Sequence, residues 1–116
     1  MDDFIDIYKG KMLLIKNKDL YIDNKLISEF VNTESVIIHN NKIYYLKVKE
    51  DIPSLYSCNG NKEKLIEKNV GEIVVNNNKL YYLGNYNISQ KYGNIYKLNS
   101  KKVIDKKVTR IIHKDK

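Results

Sequence analysis

Two histidines and one cysteine are the residues best able to do chemistry in this chain. His39 and His113 occupy matching places in a repeated segment, with Asn76 midway between them. A shared ligand site would explain them, as would a strand-end residue copied along with the repeat. Neither histidine has a nucleophile or a third ligand near it in sequence, which favours the copied residue. Cys58 precedes Asn59-Gly60 and has no basic neighbour, so a half-buried structural thiol is expected rather than a nucleophile. A single cysteine excludes an intramolecular disulfide framework and a multi-cysteine zinc site. The acidic pair Glu50-Asp51 could meet other carboxylates to bind calcium or transfer protons, but no calcium-loop spacing surrounds it. No phosphate-binding GxxxxGK, dinucleotide GxGxxG or metalloprotease HExxH is present. The expectation is a protein that is not an enzyme and holds no metal or cofactor.

Recognition chemistry is better represented. Residues 84–94, GNYNISQKYGN, combine amides with flat rings. Asn85, Tyr86, Asn87, Gln90 and Tyr92 there suit glycans or peptides, and a plain solvated loop is the alternative. Residues 48–54, VKEDIPS, join the equivalent pair of strands and would place Lys49 and Asp51 on the same rim. A second candidate surface is basic: Lys101, Lys102, Lys106, Lys107 and Arg110. The last 16 residues carry a net +5 of the chain's +7, leaving +2 for the first hundred. Such a segment could attract a polyanion, with affinity falling steeply in salt. It could equally be a solvated strand edge on which lysines discourage aggregation. Arg110 is the only arginine among 21 basic residues, and nucleic-acid surfaces favour arginine for its bidentate fork. The solvated edge is therefore preferred.

The elements that must position these residues read as strands. Period-2 alternation and short β-branched or aromatic runs dominate, punctuated every five to ten residues, and no apolar stripe at helical spacing persists. Residues 61–70 come nearest to a helix, but Asn59-Gly60 before them signals a hairpin turn, so a strand with a long turn is predicted. Self-similarity is clearer still. VIIHNNKIYYL at 36–46 recurs as IVVNNNKLYYL at 73–83, an offset of 37, and IIHKDK at 111–116 repeats IIHNNK at 37–42. A fainter copy, IDIYKGKMLLI, lies at 5–15, where Leu13-Leu14 replace the tyrosine pairs Tyr44-Tyr45 and Tyr81-Tyr82. Each copy continues into a Leu-Tyr or Ile-Tyr pair (Leu20-Tyr21, Leu55-Tyr56, Ile95-Tyr96) and then a last apolar strand at 25–27, 64–66 or 102–104. The chain divides into units at about 4–35, 36–72 and 73–109, with the opening strand of a fourth at 110–116. Asn tolerates positive φ, so Asn40-Asn41 and Asn77-Asn78 suit tight hairpins, as Gly10 does in the first copy. Ile43 and Tyr45 would face one side and Tyr44 and Leu46 the other, as in a sheet stacked between two neighbours. Pro53 is placed in the variable loop, where a missing N–H does no harm.

A four-stranded meander of about 40 residues repeated head to tail is the blade of a β-propeller. Through NNKIYYL, SLYSCNGNKEKLIEKNV, NNKLYYL and NIYKLNSKKVIDKKV the chain resembles a bacterial propeller-repeat family, similar to the TolB-like and YWTD-type six-bladed propellers. The resemblance covers nearly the whole chain and is best over 36–109. It implies a binding scaffold, of a kind for which many bacterial members have no established activity; the expected ligand of this all-β chain, a protein, peptide or glycan, would be met through the loop rim.

With 116 residues the chain has the size of one domain. Propellers close with about four to eight blades, so three units leave open ends. Copies could complete a ring as a homo-oligomer, the chain could be a fragment of a larger propeller enzyme, or it could close as a pseudo-threefold β-trefoil. The strand expected at 110–113 would pair beside 4–8 or exchange with another chain. The longest apolar run, at 12–15, is far too short to span a bilayer, and the acidic start MDDFIDIY lacks the layout of a signal peptide.

Overall fold

The computed structural model describes residues 4–110. It is all-β, with three four-stranded antiparallel sheets, each formed by consecutive strands in chain order. The first sheet contains β1 (Phe4–Tyr8), β2 (Lys11–Lys16), β3 (Asp19–Ile22) and β4 (Lys25–Ser28). The second contains β5 (Ile37–His39), β6 (Lys42–Lys49), β7 (Ile52–Cys58) and β8 (Glu63–Lys68), and the third β9 (Glu72–Asn76), β10 (Lys79–Asn87), β11 (Tyr92–Lys97) and β12 (Val103–Val108). Every strand is paired within its own sheet and the sheets do not close into a barrel, which removes the β-trefoil alternative. The strand expected at 110–113 lies outside the described residues apart from Arg110, which is in no strand.

Two-residue turns with both residues at positive φ make most of the hairpins. Lys9-Gly10, Asn17-Lys18, Asp23-Asn24, Asn40-Asn41, Glu50-Asp51 and Asn77-Asn78 all have φ between 48° and 77°. This left-handed pair matches the right-handed twist of the flanking strands. Glu50-Asp51 corrects the prediction of a loop over 48–54: Val48 pairs with Pro53 and Lys49 with Ile52, so the strands run up to a tight turn. Pro53 is thus a strand residue. Its carbonyl accepts from Val70 N, and an extended residue points its N and O the same way, so its missing N–H faces away from β6. The predicted loop over 84–94 is corrected likewise. β10 and β11 extend through most of it and leave a turn at 88–91, with a bulge between Gly84 and Asn87.

The Leu-Tyr and Ile-Tyr pairs mark a second recurring irregularity. Between the last two strands of each sheet the register shifts at Leu20/Tyr21, at Leu55/Tyr56 and at Ile95/Tyr96. A bulge there increases local twist and turns the outer edge away from straight pairing.

The core lies between the sheets. Leu13, Ile15, Leu20 and Ile22 of the first sheet pack against Ile43, Tyr45 and Cys58 of the second. Tyr44, Leu46 and Leu55 on the other face of the second sheet pack against Ile73, Leu80 and Tyr82 of the third. β6 is therefore buried on both faces, which is why Ile43-Tyr44-Tyr45-Leu46 is unbroken by polar residues. Each large apolar side chain so buried contributes about 1.5–3 kcal/mol.

Candidate functional site

The connections between sheets repeat a single arrangement. Val31 N donates to Lys18 O at 2.9 Å, Phe30 O accepts from Val48 N at 3.1 Å, and Asn32 N donates to Leu46 O at 2.8 Å. In the next connection Val70 N donates to Pro53 O at 3.0 Å, Asn69 O accepts from Tyr86 N at 2.9 Å, and Gly71 N donates to Leu83 O at 2.9 Å. Each three-residue clip thus ties the sheet before it to the sheet after it by main-chain bonds. The central valines are fully buried. The first residue of each clip is left-handed, at φ 62° for Phe30 and 58° for Asn69. Asn adopts that conformation readily, whereas a bulky aromatic there is a genuine outlier.

Beside the first clip opens a cleft of about 550 Å³ lined by Lys18, Phe30, Val31, Asn32, Thr33, Glu34 and Val48. Phe30 is 49% exposed and Val48 42%, so the floor offers apolar surface. Lys18 and Glu34 supply opposite charges among the lining residues. The walls are braced. Asn32 Oδ1 accepts from Glu34 N and caps a 3₁₀ turn at Thr33–Ser35. Ser35 Oγ donates to Asn32 O and accepts from Leu46 N at 2.8 Å. This arrangement can hold an apolar side chain with flanking polar groups. Its lining residues include no histidine or cysteine.

The predicted rim residues divide between two hairpins at the clip end of the sheets. Lys49 and Asp51 are exposed and follow Val48, which lines the cleft. The other five stand on the β10–β11 hairpin, where most of their groups are already engaged. Asn85, at φ 47° in the bulge, donates through Nδ2 to Tyr96 Oη at 3.0 Å. Asn87 Oδ1 accepts from Gln90 N. Tyr86 is half-buried over Gly71, where an added Cβ would lie 2.5 Å from the ring, so its ring belongs to the seam between sheets. Gln90 is exposed and Tyr92 half-buried.

Lys101, Lys102, Lys106, Lys107 and Arg110 are all exposed, and β12 is an edge strand. His39 is buried, with Nε2 at 3.3 Å from Asn40 Nδ2; His113 lies outside the described residues. No group of three or more potential metal ligands occurs among the described residues.

A polar cluster with no signal in the sequence lies between the first two sheets. Glu63 Oε1 accepts from Ser28 Oγ and from Tyr45 Oη at 2.7 Å, and Oε2 accepts from Lys47 Nζ at 3.0 Å. The Lys47 ammonium also lies 4.9 Å from the Tyr56 ring centroid, and the Tyr45 and Tyr56 rings stack at 6.4 Å. Burial pushes the Glu63 pKa up, but the bonds from Ser28, Tyr45 and Lys47 outweigh it and hold the carboxyl below its ordinary value. Burial and the Glu63 carboxylate together push the Tyr45 phenol far up, so it stays a donor. The Cys58 thiol is also raised, chiefly by burial. In EKLIEK, Glu63 reads as one more solvated charge; the convergence of Tyr45 and Lys47 from β6 and of Ser28 from another sheet gives it a structural role.

Among the described residues, no helix is long and apolar enough to cross a membrane. No family model, curated protein or solved structure matches the chain.

Proposed function

We propose that this chain is a non-enzymatic binding module of β-propeller-blade type, which takes an apolar side chain of an extended peptide into the Phe30–Val48 cleft. The blade reading is supported by three meanders stacked face to face and joined by clips of one geometry. The binding reading rests on Phe30. A left-handed backbone under an aromatic residue costs about 1–3 kcal/mol and such strain concentrates at functional positions, while the equivalent Asn69 satisfies the same clip without a ring. Keeping a half-exposed ring at that position serves the cleft, not the fold. The one cysteine is buried with its thiol raised and the half-buried Glu63 carboxylate is bonded three times, so both act structurally. The lysines of β12 guard an open edge, in preference to the polyanion reading.

Phe30→Asn tests this, because it removes the ring and keeps the backbone. A random peptide-display library and a glycan array would be probed with the chain and with the variant. Peptides carrying an apolar anchor should bind and lose at least tenfold in affinity on Phe30→Asn. Binders indifferent to that substitution, or glycan binding alone, would overturn the cleft assignment.

A further inference from the structure

The two outer faces of the stack are apolar, and each is the same kind of face that is covered inside the molecule. On the first sheet, the register places Ile5 opposite Leu14, Ile7 opposite Met12, Leu14 opposite Tyr21, and Tyr21 opposite Leu26. Directly paired residues share a face, so these side chains form one surface, turned away from the Leu13–Ile15 face that packs on the second sheet. Ile5 is 67% exposed, Ile7 62%, Met12 40% and Leu26 47%. The corresponding side chains of the third sheet (Ile73, Val75, Leu80, Tyr82 and Tyr96) sit in the interface with the second sheet.

The free face of the third sheet presents Val74 opposite Tyr81, with Ile95 on the same side. Ile104 follows Val103, which pairs with Tyr96 on the covered side, so Ile104 points outward. Tyr81 repeats Tyr44, yet Tyr44 is buried by the next sheet and Tyr81 only half-buried. Ile104 repeats Ile27 and Ile66, which are packed against the two cores, yet it is 56% exposed. A third clip is also prepared. Lys107-Val108-Thr109 follows the pattern of Phe30-Val31-Asn32 and Asn69-Val70-Gly71, and Lys107 is left-handed at φ 52°. In the first two clips the flanking residues bond the following sheet; the third has no following sheet among the described residues.

We infer that the outer face of the first sheet of a second copy of this chain docks on the free face of the third sheet, extending the stack head to tail and engaging the Lys107–Val108–Thr109 clip. The two internal interfaces already join faces of these kinds, so continuity singles out another copy as the occupant. Such a contact is heterologous: it uses two different surfaces and leaves each copy with one free end unless the assembly closes. Two copies closing on each other would form a ring of six sheets. The contact is separate from the peptide cleft, which lies between the first two sheets.

Light scattering across a concentration series provides the test. The full chain should approach twice 13.7 kDa. Ile104→Lys and Ile7→Lys alter exposed side chains, and each should give the single-chain mass with an unchanged far-UV spectrum. Mixing the two variants should restore a two-chain species, because the first keeps an intact first-sheet face and the second an intact third-sheet face. A single-chain mass for the unmodified protein at every concentration would overturn the inference. So would substituted chains that keep the doubled mass, or a mixture that stays single. Phe30→Asn should leave the mass unchanged, which separates this result from any failure of the cleft reading.

Discussion

Replacing Glu63 by Gln should destabilise the fold by about 2–4 kcal/mol, through a loss confined to one atom. Gln retains an oxygen for Ser28 and Tyr45 but places an NH2 where Oε2 accepts from Lys47 Nζ at 3.0 Å. Two donors then face each other, and the Lys47 side chain, only 16% exposed, loses its counter-ion. A hydrogen bond to a charged group contributes about 1.5–3 kcal/mol. Breaking a buried pair by removing one partner costs about 3–5 kcal/mol. With Glu63 itself 23% exposed, the lower part of the combined range applies. Urea unfolding at fixed protein concentration, followed by the fluorescence of the ten tyrosines in a chain without tryptophan, would measure it. With a slope of about 1.5 kcal/mol per molar urea, the midpoint should fall by about 1.3–2.7 M. Tyr45→Phe, which removes one donor and keeps the ion pair, should cost less. The pH dependence supplies a second check. The folded-state pKa of Glu63 is depressed below its ordinary 4.5, so its contribution is fully present above that value and is lost as pH falls through the folded pKa. The stability gap between the native chain and the Glu63→Gln variant should be constant from about pH 5 to 8 and close as the pH falls below about 4.5. A difference under about 0.5 kcal/mol at neutral pH, well below the range for a hydrogen bond to a charged group, or a gap that widens in acid, would refute the assignment.

Gly71→Ala should cost about 1–3 kcal/mol by overpacking, because its Cβ would stand 2.5 Å from the Tyr86 ring; Tyr86→Ala in the same chain should recover part of the loss in a double-mutant cycle read by urea unfolding. Converting Glu50-Asp51 to Asn-Gly should raise the thermal midpoint, since both residues are left-handed and Asn-Gly suits that turn, a gain of about 1 kcal/mol. Cys58 is 1% exposed with its thiol raised, so it should react with an aromatic disulfide reagent at least a hundredfold more slowly in the folded chain than in urea; equal rates would show the thiol to be open.

Much of the fold is legible in the sequence because it is written in local chemistry. Asn40-Asn41 and Asn77-Asn78 tolerate the left-handed conformation that a tight hairpin requires, and the unbroken apolar run Ile43-Tyr44-Tyr45-Leu46 shows a strand covered on both faces. Glu50-Asp51 is deceptive, since acidic residues with Pro53 two positions later resemble a loop; pairing of Val48 with Pro53 carries the strand through. The bulge at Asn85 is equally hidden, because it depends on Tyr86 bonding Asn69 in the neighbouring connection. Rim residues with amides to offer are largely engaged at home, and the cleft residue of greatest interest, Phe30, looks like an ordinary hydrophobe.

By itself the sequence determined the repeat, its turns and the alternation that makes each four-stranded sheet, because these depend on φ preference and on side chains two positions apart. The tertiary structure alone decided which face covers which, where Phe30 meets Val48, and that Ser28, Tyr45 and Lys47 converge on Glu63. Those contacts join different sheets, a connection to a strand, or strands that are not neighbours in one sheet, as β6 and β8 are not, and no short-range pattern encodes such distances. The two outer faces follow from both: the repeat supplies the apolar residues, and stacking three sheets leaves one face of the first and one of the third uncovered by any other strand among the described residues.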